Sequence, residues 1–398
     1  MMKVVVTGIG CVSAIGLNVK ETWDSLSKEK SGLQPLSLFE SKYKNRLPVG
    51  EVKAGHSDLV KRLQLNPAKT YSRTALLGML AAREAFEDAD LNMRKMNDLR
   101  IGFISGTSVG GMDRSERFYD DYLQSASKGR LRNIVSHDCG DSTEKIASYL
   151  KINDYITTIS TACSSGANAV IVGARLIKHD MLDCAVVGGT DALCRFTING
   201  FASLKILDEN PCRPFDASRQ GLNLGEGAGY VVLEKESNPY TKNYGYVAGY
   251  ANVCEAFHQT ASSPEGTGAW LSMQKALQTA NLSPDSIDYI NLHGTGTLNN
   301  DSAEGNAVRK LFGKSLPYLS STKSFTGHTL GACGGIEAVF SLLAIQNGAT
   351  FPNLNFETPM PEHGLIPEIR YTENRNIHTV LSNSFGFGGN MSTLIFSR

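Results

Sequence analysis

Apolar and polar positions along this chain alternate between a helical rhythm and an extended one, and the alternation occurs twice. In the stretch ending "EAFEDADL" (84–91), Ala75, Met79, Ala82 and Phe86 share one helical face, which predicts an amphipathic helix. "KALQTANL" (275–282) has the same form. A short spacer follows each, then an apolar run passing into Gly-Thr: "RIGFISGTS" (100–108) and "DYINLHGTGT" (288–297), both predicted as buried strands. Further on, "TACSSGANAVIVGARLI" (161–177) and "LGACGGIEAVFSLLAI" (330–345) each predict a small-residue turn entering an apolar helix. Each leads to another strand, "CAVVGGTDAL" (184–193) and "HTVLSNSFGFGG" (378–389). Four matches in the same order point to an internal duplication.

Strands alternating with long helices imply α/β layers, and helices apolar on several faces imply a buried central layer. The polar, turn-rich "SNPYTKNYG" (237–245) marks the expected seam, dividing residues 1–240 from 241–398. Segments 28–70 and 110–150 have no evident counterpart in the second half and read as insertions covering a site or building an interface. The start, "MMKVVVTGIGCVSAIG", reads as a short buried strand, Val4 to Thr7, entering a Gly-rich turn.

Composition narrows the function by exclusion. Among 398 residues, 39 Lys and Arg balance 39 Asp and Glu, which argues against nucleic acid as a partner. No apolar run approaches the ~20 residues a membrane-crossing helix needs, so a cytoplasmic protein is expected. The eight cysteines form no CxxC pair, which disfavours a zinc site or a disulfide framework. Gly8 and Gly10 hint at a dinucleotide fingerprint, but Ser13 stands where the third glycine belongs.

Chemistry concentrates in a few motifs. Cys163, in "STACSSG" (160–166), sits at a predicted strand-to-helix turn. Free backbone N–H groups and the helix dipole there favour a thiolate; a plain buried cysteine is the alternative. His293 in "NLHGTGT" closes a predicted buried strand, where ligands gather in α/β folds. Lys323, His328 and Glu337 share "SSTKSFTGHTLGACGGIEA". A lysine and a glutamate among so many small residues are expected to be buried as a pair, and that pair is expected to orient His328. In "NSFGFGGN" (383–390), Phe385 and Phe387 alternate with glycines after a strand end. This is either an ordinary turn or a gate whose N–H groups could meet an oxyanion.

Together, "TACSSG", "HGTGT", "KSFTGHTLGACGGIEA" and "NSFGFGGN" resemble the elongating β-ketoacyl-acyl carrier protein synthases, types I and II, of the thiolase-like superfamily, across essentially the whole chain. The pattern is most similar to the type II enzyme and to ketosynthase subunits of type II polyketide systems. The resemblance implies a five-layered αβαβα fold made of two duplicated halves. It implies that Cys163 takes an acyl chain as a thioester, and that His293 and His328 bind the malonyl thioester that condenses with it. Lys323 and Glu337 would be the supporting pair. Thr295 and Thr297 would hold a phosphopantetheine arm. Phe387 would be the gate, its N–H forming an oxyanion hole with that of Cys163.

By the same resemblance Val109 and Phe201 would line an acyl tunnel, Phe385 would contact substrate, and Lys69 and Lys205 would dock the acyl carrier protein. No metal and no resident cofactor are implied, the substrates riding on the carrier's 4'-phosphopantetheine. A homodimer is implied, or a heterodimer with a chain-length factor. The chain departs from the pattern at Gln220, Leu222, Asn223, Asn390 and Met391, and "LKILDENPCRPFD" (204–216) is short. A coenzyme A thiolase, with Cys333 as second cysteine, is the competing chemistry. A non-catalytic chain-length factor is disfavoured because Cys163 is present.

Overall fold

The first strand, β1 (Val4–Ser13), runs well beyond its apolar tetrad and straight through Gly8 and Gly10, where the sequence suggests a turn. The glycines serve packing. A Cβ at Gly8 would lie 2.3 Å from the carbonyl oxygen of Ala85, and one at Gly10 would lie 2.0 Å from that of Ala81. Helix α3 (Arg73–Asp88) therefore sits directly on the strand. The second half repeats the device: a Cβ at Gly249 would lie 2.5 Å from the carbonyl oxygen of Ala276. The structure is a computed structural model that describes residues 3–93, 99–238, 240 and 242–398.

After β1 come α1 (Val19–Ser27), the small hairpin β2 (Gln34–Pro35) and β3 (Pro48–Val49), α2 (His56–Arg62) and α3. Strand β4 (Ile101–Gly106) leads through α4 (Met112–Gln124) and α5 (Cys139–Leu150) to β5 (Tyr155–Ile159). Helix α6 (Ser165–Lys178), β6 (Cys184–Asp191), α7 (Arg195–Ser203) and β7 (Gly227–Lys235) finish the first half. The second half runs β8 (Gly245–Cys254), α8 (Thr267–Ala280), β9 (Tyr289–Asn291), α9 (Leu298–Phe312) and β10 (Tyr318–Ser320). It ends with α10 (Lys323–Thr326), α11 (Cys333–Asn347), β11 (Thr379–Gly386) and β12 (Asn390–Ser397).

Strand order demonstrates the duplication. The first half reads β1-β7-β6-β4-β5 and the second β8-β12-β11-β9-β10, and the two join edge to edge through β1 and β8. Each half has the same sequence of antiparallel, antiparallel, parallel and parallel pairings. A parallel neighbour requires a crossover, usually helical. Helix α5 supplies it between β4 and β5, as α9 does between β9 and β10. Residues 139–150, expected within an insertion, thus have a counterpart, and the extra material shortens to about 110–138. Of the expected seam, residues 239 and 241 lie outside the described residues.

Both faces of each sheet are covered, so the strands read as continuous apolar runs. On β6, Cys184 and Val186 join the outer core beneath α3 and α5, while Ala185 and Val187 join the central core around α6 and α11. A third core lies under α8 and α9. The layers are α3/α5, sheet, α6/α11, sheet, α8/α9, the expected αβαβα order. Every residue of α11 from Cys333 to Ile345 is buried, which explains its lack of a polar face. Residues 330–347 match a membrane-crossing helix in length and apolarity, but 89% of the stretch is buried inside the fold.

The two central helices meet through glycine. A Cβ on Gly166 would approach the carbonyl oxygen of Gly331 and the nitrogen of Gly335, both at 2.8 Å. Strand β7 touches α11 as closely, a Cβ on Gly229 lying 2.3 Å from the nitrogen of Ile336. Inserting side-chain volume at such a crossing typically costs about 1–3 kcal/mol. Gly166→Val is accordingly expected to lower the unfolding free energy read from urea denaturation by that order, with loss of turnover exceeding the loss of folded protein. Unchanged stability and turnover would show that the crossing is slack.

Candidate active site

Cys163 lies in the turn between β5 and α6, with Ala162 before it in the left-handed region (φ 52°). The small hydroxyl residues of "STACSSG" build that turn. Ser165 Oγ accepts from the Thr161 N–H at 2.9 Å and donates to the Ala162 carbonyl at 2.6 Å. The sulfur is thereby raised at the start of the helix. Sγ lies 3.0 Å from Nε2 of His328, and the His328 ring faces that of His293 edge-on with centroids 5.3 Å apart. All three residues are buried.

His293 follows β9, and its loop is held by two carboxylates that the sequence reading missed. Glu304 on α9 accepts the N–H groups of His293 and Gly294, both at 2.8 Å. Asp301 accepts those of Thr295 at 3.0 Å and Gly296 at 3.2 Å. Burial raises the pKa of both carboxyls, Glu304 to about 7. Acidic residues three apart just after "HGTGT", at the start of a helix, were the available signal. Thr295 Oγ1 and Thr297 Oγ1 are 2.9 Å apart on the same loop.

Lys323 and Glu337 form the expected buried pair, Nζ to Oε1 2.5 Å. Burial alone would lower the lysine pKa, but Glu337 outweighs it and the net shift is upward. The pair does not orient His328 as expected: among the described residues no hydrogen bond joins them. The backbone fixes His328, its N–H donating to Asn223 O at 2.7 Å and its carbonyl accepting from Gly225 at 2.9 Å. The pair acts instead through its field. Burial first, then the Lys323 charge, hold both imidazoles well below their usual pKa, hence neutral.

Burial also reverses the expectation for the thiol. It pushes Cys163 up to about 11, although the N–H groups of Phe387 and Cys163 and the charge of Lys323 all pull it down. The resting group is therefore a protonated thiol. Cys333 Sγ lies 3.1 Å from the Cys163 carbonyl oxygen, pointing at backbone and not at the cavity. That removes the geometric basis for a second catalytic cysteine.

A cavity of about 240 Å³ opens above the sulfur, lined by Cys163, His293, His328, Thr295, Thr297 and Phe385. Phe387 and Phe201 form part of the wall, their rings stacked at 5.9 Å, and Lys205 is also at the wall. Gln220, Leu222 and Met391, three of the departures, line it too. Val109 does not. It packs in an adjoining apolar cluster with Leu193 and Ile198 that shares Phe201 and Leu222 with the cavity. Lys69 lies elsewhere again, in a cationic hollow with Arg117, Arg130 and Arg132. Asn223 braces the 204–216 connection: its amide accepts from Cys212 N at 2.6 Å and donates to Asp208 O at 3.0 Å and Asn210 O at 3.1 Å.

Residues 1–238 match the family description "Beta-ketoacyl synthase, N-terminal domain", and residues 244–357 match its C-terminal domain. The chain belongs to the β-ketoacyl synthase family. It is 35% identical to 3-oxoacyl-[acyl-carrier-protein] synthase 2 of Coxiella burnetii, covering 100% of this chain and 98% of the relative. A Staphylococcus aureus protein of the same name is 32% identical with the same coverage. Among solved structures, the ishigamide ketosynthase/chain length factor aligns at a TM-score of 0.91 with 30% identity, covering 100% of this chain and 99% of that one. A Xenorhabdus doucetiae ketosynthase in complex with its chain length factor aligns at 0.86 with 32% identity, covering 100% and 98%.

The sulfur and one nitrogen of each β-ketoacyl synthase histidine lie within 4.8 Å of one another, a spacing that would also suit a soft metal ion. The cavity beyond them, walled by Phe201, Leu222 and Phe387, suits an acyl thioester better than an ion.

Two outcomes are expected of this electrostatic arrangement. Alkylation of Cys163 by iodoacetamide should be slow at neutral pH and keep rising without a plateau until about pH 11, because only the thiolate reacts. A plateau near pH 8 would contradict it. Lys323→Met should raise the thiol pKa further and, by stranding Glu337, cost about 3–5 kcal/mol of stability. The double variant with Glu337→Gln should recover the stability but not the thiol reactivity, as read by denaturation and by the alkylation profile.

Proposed function

We propose that Cys163 carries an acyl chain as a thioester and that His293 and His328 drive its decarboxylative condensation with malonyl-acyl carrier protein. The product is a β-ketoacyl-acyl carrier protein two carbons longer, as in fatty acid or fatty-acid-like synthesis. The observation that carries this reading is the convergence of one thiol and two neutral imidazoles in a buried cavity.

In the first step the Cys163 sulfur attacks the acyl thioester, the bond from the acyl carbon to the carrier's sulfur breaks, and the Cys163 proton passes to that departing sulfur, so that the carrier leaves as a thiol. The N–H groups of Cys163 and Phe387 face the oxygen that becomes negative. In the second, the carboxylate–carbon bond of the malonyl group breaks and carbon dioxide departs. Its electron pair forms an enolate, whose oxygen accepts hydrogen bonds from His293 and His328. Neutral imidazoles suit this role, since fixed dipoles in a water-poor site stabilise developing charge without reorganising. The enolate carbon then attacks the Cys163 thioester, the new carbon–carbon bond forms, and the sulfur leaves and is reprotonated.

Thr295 and Thr297 support a phosphopantetheine arm on the cavity wall. Val109, Phe201 and Phe385 are proposed to guide the acyl chain, Val109 from the adjoining cluster. Lys205 at the cavity and Lys69 in the cationic hollow are proposed to meet the acidic carrier. A division of the chain near residue 240 is supported by the break between the two family matches. Exposed Tyr119, Tyr122, Leu123, Leu131 and Val135 support a dimer interface, as does β5, an open edge of the sheet. A cytoplasmic location belongs to the same reading.

A second reading, a ketosynthase paired with a chain-length factor in a polyketide or aryl-polyene pathway, is favoured by the two ketosynthase/chain length factor structures above. It is also favoured by the departures at Gln220, Leu222 and Met391 on the cavity wall.

Mass spectrometry after mixing with acyl carriers should find an acyl adduct on Cys163 that Cys163→Ala abolishes. His293→Ala should keep the adduct but slow carbon dioxide release by about 10²–10³. An adduct elsewhere, or unimpaired decarboxylation, would refute the assignment. Among acyl carriers of graded length and unsaturation, the second reading expects a preference for unsaturated chains, and a saturated long-chain profile would reject it.

A further inference from the structure

The loop 386–389 packs on the Cys163 turn, a Cβ on Gly386 lying 3.3 Å from the Cys163 nitrogen, and lines the same cavity as the sulfur, yet three of its four residues are glycine and have no side chains to hold it. Gly386 lies against the nucleophile's turn, where a Cβ would be 2.7 Å from the Thr161 carbonyl oxygen. On its other side the loop is tied to the segment after β8, through Gly388 N to Gln259 O and Glu255 N to Gly389 O, both at 2.7 Å. These bonds hold the loop to the cavity's outer wall. Another contact must hold it to the helix that carries the thiol.

Asn390, the first residue after the loop, meets that requirement. Its Oδ1 accepts from Asn168 Nδ2, one turn along α6, at 2.9 Å, and lies 2.7 Å from the Oγ of Ser164, beside Cys163, whose single hydroxyl proton it shares with the Thr161 carbonyl oxygen, also at 2.7 Å. A third donor, Asn252 Nδ2 on β8, is at 2.6 Å. The remaining groups agree on this orientation. Asn168 Nδ2 also donates to Thr161 Oγ1 at 2.9 Å, while its Oδ1 accepts from Ser392 Oγ at 2.8 Å, which in turn accepts from Asn252 Nδ2 at 2.8 Å. One carbonyl oxygen thus stitches the glycine loop to the nucleophile helix and to β8.

We propose that Asn390 is a positioning residue that keeps the Phe387 N–H aimed at the Cys163 sulfur, and so governs acyl loading of Cys163 separately from decarboxylation. The acyl half rests on the function proposed above; the thiol half does not. Asp at this position would keep the acceptor but place a carboxylate near the sulfur, so the two roles separate by variant.

The test compares Asn390→Ala and Asn390→Asp with the unaltered full-length protein. For Asn390→Ala, loading of Cys163 from an acyl carrier should fall by about tenfold or more, while malonyl-carrier decarboxylation without acyl donor changes by less than about twofold. Its alkylation profile should move to higher pH, because an N–H that lowers the thiol pKa is lost. Asn390→Asp should recover most of the loading when assayed at high pH, with its alkylation profile also displaced upward. Equal losses of loading and decarboxylation in the alanine variant, or an unchanged alkylation profile, would overturn the proposal. If the unaltered protein itself loads no acyl group, the functional reading fails, and the alkylation profile alone decides the role of Asn390.

Discussion

Every distance in the site depends on how closely α6 and α11 cross. The thiol stands at the start of one helix, and His328 stands in the turn before the other. Their 3.0 Å separation exists only because Gly166 meets Gly331 and Gly335 without intervening side chains. Protein interiors pack at crystal-like density and cannot absorb an extra methyl group by flowing around it. The small residues beside Cys163 are thus part of the same constraint. They let one helix start pack against the other, and they leave the sulfur accessible from the remaining side.

Duplication places the chemistry. The equivalent helix starts of the two halves are brought together in the central layer, one carrying the Cys163 turn and the other the Lys323–His328–Glu337 unit. His293 comes from the strand equivalent to β4 in the second half. Neither half contains the site alone. Bonds that cross between the halves matter correspondingly. Asp191 at the end of β6 accepts from Ser108 N at 2.8 Å in its own half and from Gly331 N at 2.7 Å in the other. Its full burial raises its pKa to about 6 against those stabilising bonds.

What could be read from the sequence follows from how local each signal is. The duplicated order of helices and strands was legible because each element buries a periodic or continuous apolar face. The trio Cys163, His293 and His328 was legible because each sits in a dense cluster of small residues. The run through Gly8 and Gly10 misled because glycine signals both turns and close packing, and only the position of α3 separates the two. Glu304 and Asp301 were missed although their spacing after "HGTGT" is visible, because the backbone N–H groups they serve leave no mark in a sequence, and Asn223 stood out only as a departure, its backbone partners hidden for the same reason. The thiol's pKa was misjudged for a related reason. The helix start is visible in "TACSSG", but the depth of burial that outweighs it belongs to the whole fold.

That burial sets the division of labour in the site. Burial costs the thiol its easy ionisation, since a buried thiolate has lost its water and gains only two N–H groups and a nearby lysine. The same burial keeps both histidines neutral and, under the proposed function, strengthens the hydrogen bonds they offer to an enolate oxygen. A site tuned to ionise the thiol at rest, by more water or a nearer cation, would weaken those bonds. The arrangement favours the step that forms charge on substrate oxygen over resting activation of the sulfur. Under the proposed function, acyl loading then depends on donors that act only as charge develops, which would give the placement of the Phe387 N–H a weight out of proportion to its single hydrogen.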